Sequence, residues 1–118
     1  LHSCGKVNDL VPYWIDAGID ALNLQQVRTY PVEEMGRIAR GKIAFFAPAD
    51  MQVSLPEGDA DKIREDVRGI LEHWCTPEGG VVAFGMDETV FGARTSDSAL
   101  MLRAFDETSR RMGIPRSG

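Results

Sequence analysis

Residues 42–49 read KIAFFAPA. From Ile43 to Ala49 the run is apolar throughout, with no polar–apolar alternation. A strand with one face in water alternates, whereas a strand covered on both faces does not. At about eight residues the run has the length of a strand and is short for a helix. Continuous apolar strands of this kind belong to parallel sheets clad in helices, so the flanking segments should be helical.

They are. Upstream, Val32, Met35, Ile38 and Ala39 recur at helical spacing behind Pro31, which suits a first turn, and Gly41 ends the run. Before that, residues 19–26 (IDALNLQQ) form another strand-length segment. It follows a helical face made of Val7, Leu10, Val11, Trp14 and Ile15, with Gly18 as the stop. Downstream, residues 55–59 (LPEGD) read as a loop, with Asp59 or Asp61 as the cap of the next helix. Ile63, Val67, Ile70, Leu71 and Trp74 are the buried stripe of that helix. Residues 76–80 (TPEGG) break it, and residues 81–85 (VVAFG) give a third strand. Thr95 or Ser96 caps a last helix, with Leu100, Ala104, Phe105 and Met112 inward and Gly113 and Pro115 at its end. The opening residues 1–5 (LHSCG) read as the tail of a further strand. The expected fold is therefore α/β, built from parallel βα repeats in a single domain over residues 1–118. A small doubly wound sheet and half of a (β/α)8 barrel both fit. No glycine-rich dinucleotide fingerprint follows the first strand tail, and no P-loop is present.

In parallel α/β folds the reacting groups gather at the carboxyl ends of the strands. That rule selects His2 and Cys4, then Asn23, Gln25 and Gln26, then Asp50 and Gln52, then Asp87 and Glu88. Arg28 and Arg94 lie in loops on the same side, where an arginine can hold a carboxylate. Cys75 sits at a helix end before a strand, on the opposite side, and reads as a packed thiol. His73, Arg37, Arg40, Arg64 and Arg68 read as surface residues of helices. His2 and Cys4 are two apart, so in an extended segment they point the same way. Imidazole and thiolate are both good zinc ligands, and a catalytic zinc needs a third protein ligand and an open position. Asp87 or Glu88 is the candidate third.

Composition narrows the partners. The 118 residues are 43% hydrophobic and 26% charged, with a net charge of −5. An acidic chain whose 13 Lys and Arg residues are dispersed is a poor nucleic-acid binder. No apolar run reaches the roughly 20 residues of a membrane helix, and no secretory signal pattern is visible. Two cysteines make no disulfide framework, so a reducing, cytoplasmic setting is expected. The missing initiator methionine suggests that Leu1 marks a processed, truncated or domain-cut start.

Three segments, residues 2–26 (HSCGKVNDLVPYWIDAGIDALNLQQ), residues 42–74 (KIAFFAPADMQVSLPEGDADKIREDVRGILEHW) and residues 79–85 (GGVVAFG), resemble the uroporphyrinogen decarboxylase superfamily. The resemblance covers nearly the whole chain. It implies the carboxyl-terminal half of a (β/α)8 barrel, from the end of the fifth strand to the eighth helix. The superfamily includes zinc-dependent methyltransferases that act with corrinoid proteins, and that branch carries His-x-Cys as a zinc site, as here. Its further cysteine falls where this chain reads FGMDETVFG (residues 84–92), with Met86 or a neighbour at that place, so either Asp87 or Glu88 substitutes or the site is altered. Residues 20–28 (DALNLQQVR) and 73–80 (HWCTPEGG) look closer to decarboxylase-like members of uncharacterised activity.

On the methyltransferase reading His2, Cys4 and Glu88 hold zinc. Asp50 and Asp87 serve catalysis, and Asn23, Gln25, Gln52 and Arg94 line the substrate pocket. The substrate is a small molecule, and a corrinoid protein is the implied partner. The alternatives are a metal-free decarboxylase of tetrapyrrole biosynthesis and a non-catalytic half-barrel. Half a barrel leaves open sheet edges, so a homo-oligomer or association with the missing half is expected.

Overall fold

The computed structural model describes residues 1–85 and 92–116. Helix α1 (Val11–Asp16) leads into strand β1 (Ala21–Asn23). Then come α2 (Val32–Ala39), β2 (Ala44–Phe46), α3 (Ser54–Glu57), α4 (Ala60–Trp74), β3 (Val81–Val82) and α5 (Thr95–Met112). Among the described residues the sheet has three strands in the order β1-β2-β3, and both pairings are parallel. The opening residues extend it by one parallel bridge between His2 and Asn23. Backbone hydrogen bonds from Asn23 N–H to the Leu1 carbonyl (2.7 Å) and from Ser3 N–H to the Asn23 carbonyl (3.4 Å) flank that bridge.

Strand order following chain order has a consequence. Each crossover steps in the same direction, and right-handed crossovers then place every helix on one face of the sheet. The helices pack in succession to match: α1 on α2, α2 on α4, α4 on α5. A doubly wound sheet would split them between two faces. Leu22, Phe45 and Val81 lie in one register row that is fully buried at Leu22 and Phe45. Next to it runs the row Asn23, Phe46 and Val82, where Phe46 is 40% and Val82 44% exposed. The sheet therefore has one covered face and one bare face. This is a two-layer α/β arrangement. Of the four strands half a barrel needs, the first is present only as the bridge at His2.

Trp74 anchors the covered layer. Its ring stacks on Phe45 (centroids 4.5 Å apart) and on Tyr30 (6.2 Å), and its indole N–H donates to the Val32 carbonyl at 2.9 Å. One side chain thereby joins β2, α4 and the start of α2. The helices α2 and α4 come close enough that Gly36, buried in α2, lies against the backbone of His73.

Several local expectations are corrected. Residues 55–57 of the supposed loop belong to a helical turn, α3, ended by Gly58 in the left-handed region. The cap of α4 is as expected: of the two candidates it is Asp59, accepting from the N–H groups of Asp61 and Lys62. Thr95 and Ser96 do not cap α5: its cap position is Arg94, and both residues lie inside the helix. Met112 is 42% exposed, because it falls in the last turn, beyond the helix packed beneath it. Each strand is shorter than its apolar run. Pairing stops where the chain bends into its loop, while the apolar residues beyond, such as Leu24, Ala47 and Ala49, stay buried in the rim.

Candidate metal centre

The loops that leave the strands are tied into one rim. Gly5 N–H donates to Gln26 Oε1 at 2.5 Å, joining the first loop to the loop after β1. Met51 N–H donates to the Gln25 carbonyl at 3.0 Å, joining that loop to the one after β2. The common rim expected for parallel strands is thus formed among the described residues.

His2 and Cys4 stand together on it, both exposed. His2 Nε2 is 3.5 Å from Cys4 Sγ. On the other side of the ring, His2 Nδ1 is 2.7 Å from Asn23 Oδ1. The arrangement follows from the backbone: the parallel bridge makes His2 and Asn23 cross-strand neighbours, and the two-residue step brings Cys4 to the same side as His2. A tetrahedral zinc bonded to sulfur at about 2.3 Å and to nitrogen at about 2.05 Å sets those two atoms roughly 3.5–3.6 Å apart. The observed separation equals that edge, and it is also the length of a hydrogen bond between the thiol and the imidazole. Among the described residues no group of three or more His, Cys, Asp or Glu is gathered to hold a metal. Asp87, expected to serve catalysis, and Glu88, expected as the third ligand, lie outside the described residues.

Beside the pair, the bare sheet face carries a shallow depression of about 510 Å³ lined by Leu1, His2, Ala21, Asn23, Gln25 and Phe46. Gln25 is half-buried in its wall.

The other rim residues are engaged elsewhere. Asp50 is only 1% exposed. Its Oδ2 accepts from Arg28 N–H at 2.8 Å, and its Oδ1 accepts from the N–H groups of Gln52 and Val53, each at 2.9 Å. Three backbone donors take up this carboxylate, which builds the turn between β2 and α3, a common task for Asp. Gln52 is exposed and contributes its backbone N–H to that turn. Arg94 grips Asp97 with Nε (2.7 Å) and Nη2 (3.1 Å), closing the first turn of α5 instead of facing the depression.

Under the rim lies a network that joins Arg28 and Asp50 to two residues the strand-end rule does not select, Ser54 and Asp66. Arg28 Nε is 2.8 Å from Asp66 Oδ1, and Ser54 Oγ–H donates to Asp66 Oδ2 at 2.5 Å. Asp50 N–H donates to the same Asp66 oxygen at 3.0 Å. Burial pushes the Asp66 carboxyl above its ordinary value, against the opposing pull of Ser54, the Asp50 N–H and Arg28. A signal was there: Asp66 falls within the stripe of Ile63, Val67 and Ile70, and an acid on an apolar face requires partners. Cys75 is buried at the amino end of β3, as its position implied, and burial raises its thiol pKa. His73 Nε2 lies 3.8 Å from Glu33 Oε1 across α2 and α4.

No family model, curated protein or solved structure matches the chain. Among the described residues no helix is long and apolar enough to cross a membrane.

Proposed function

We propose that this chain is a sector of a (β/α)8 barrel whose rim holds a zinc ion through His2 and Cys4, for methyl transfer to a small thiol. The observation that carries the reading is the 3.5 Å separation of His2 Nε2 and Cys4 Sγ at the carboxyl end of a parallel sheet. Chain-order pairing and the one-sided helix layer support the barrel, since a closed barrel is what buries a bare inner face. In that closed form Phe46 and Val82 face the interior. The covering sheet is either a second copy of the chain or a complementary half.

Bound at this edge, zinc supplies Lewis acidity that lowers the pKa of a coordinated thiol. His2 and Cys4 would hold the ion, together with residues outside the described set, among them Glu88 and Asp87. The depression beside His2 receives the body of the substrate, with the Gln25 amide as a polar contact and Phe46 as an apolar wall. A corrinoid carried by a partner protein would supply the methyl group, and the substrate thiol, its proton given up to solvent, would accept it while the residues lining the depression hold the substrate in place.

Metal analysis of protein purified without chelator tests this. About one zinc per chain, lost on Cys4→Ser, is the expected outcome. Absence of metal from the reduced chain, even after incubation with zinc, contradicts it and leaves the metal-free decarboxylase and the non-catalytic half-barrel.

A further inference from the structure

We infer that Asn23 is a positioning residue for the metal pair: its side-chain oxygen selects the tautomer of His2 that presents Nε2 to Cys4. The inference rests on the zinc reading above and deepens it. Asn23 closes β1 and is the residue bridged to His2. Its N–H and carbonyl hold Leu1 and Ser3, on either side of His2, so the two side chains cannot slide past each other.

The hydrogen bond then assigns the ring. A carboxamide oxygen carries no proton, so Oδ1, at 2.7 Å, must accept and His2 Nδ1 must donate. In a neutral imidazole that leaves Nε2 with the free lone pair, and Nε2 is the atom 3.5 Å from Cys4 Sγ. Without the oxygen, the ring can carry its proton on Nε2 and turn that nitrogen into a donor facing the ion. Outer partners of this type are worth about 10–100-fold in metal affinity. Asn also differs from Asp in adding no charge.

Two measurements on the full chain test the role. The first is metal-free: the ring ¹⁵N shifts of His2 at mildly alkaline pH. Wild type should be the Nδ1–H tautomer, and Asn23→Leu should move toward Nε2–H. The second is zinc competition against a chromophoric chelator. Asn23→Leu should bind about 10–100-fold more weakly, and Asn23→Asp, which restores the acceptor, should bind at least as tightly as wild type. Wild-type affinity in Asn23→Leu, or equal weakness in Asn23→Asp, overturns the inference while leaving the zinc site standing. Failure of wild type itself to bind zinc overturns the zinc reading, and the inference with it.

Discussion

Two helix glycines should respond to the same substitution with opposite signs. Replacing Gly by Ala inside a helix normally stabilises by about 0.5–1 kcal/mol, because Ala loses less backbone freedom on folding. Gly69 in α4 should behave that way, since a Cβ there would meet only Val32 Cγ1, at an ordinary 3.8 Å. Gly36 in α2 should not. A Cβ there would sit 3.0 Å from the His73 carbonyl carbon and 3.2 Å from the His73 Cβ, and closer still to the carbonyl oxygen. The obstacle is mostly backbone, which cannot turn aside as a side chain can. Relief requires α2 and α4 to separate, loosening the packing around Trp74. Overpacking of this kind costs about 1–3 kcal/mol, and a rigid neighbour puts Gly36→Ala toward the upper end. After the helix-propensity gain, the net loss is about 2 kcal/mol, a sizeable part of a domain stability of about 5–15 kcal/mol. Urea unfolding followed by tryptophan fluorescence reads this as a midpoint lowered by roughly 1 M for Gly36→Ala and raised for Gly69→Ala, with unchanged slope. Equal gains in both variants would refute the close approach of α2 and α4.

Trp74→Phe keeps a ring against Phe45 but gives up the donation to Val32 and some volume. It should cost about 2 kcal/mol by denaturant melting, and a neutral result would mean that Trp74 does not join the three elements. Asp66→Asn should reveal an unusual pH dependence. Because the folded carboxyl titrates above its ordinary value, its stabilising contribution is complete below that value and is lost as pH rises through the folded pKa. The stability of wild type minus that of Asp66→Asn should therefore fall as pH rises from the ordinary carboxylate range through the raised folded pKa. A difference that grows over that range would show that Arg28 and Ser54 outweigh burial.

Periodicity carried the element order and the parallel pairing, because buried helices and strands repeat with different spacings and the breaks fall at Gly, Pro and Asp. Strand ends were not legible in the same way. Apolar residues such as Ala47 and Ala49 continue past the paired residues into the buried rim. Caps were partly legible: Asp59 carries the acceptor its helix needs, whereas the cap position of α5 is Arg94, one residue before its first hydroxyl residue. The topological rule for strand ends found His2, Cys4 and Asn23, and the structure brings these three together. It also selected Asp50 and Arg94, whose partners are the backbone of the next turn and Asp97. Spacing assigns a residue to a rim but says nothing of which neighbour claims its side chain. The role of Asn23 was out of reach for that reason, since it depends on a bridge between segments 21 residues apart.

The metal edge itself is open to direct measurement. Zinc-loaded, reduced protein, examined by X-ray absorption at the zinc edge, should show a sulfur scatterer at about 2.3 Å together with imidazole nitrogen at about 2.0–2.1 Å. The sulfur shell should vanish in Cys4→Ser. A shell of oxygen and nitrogen only in the wild-type protein, or a sulfur shell that survives that substitution, would contradict the site at His2 and Cys4.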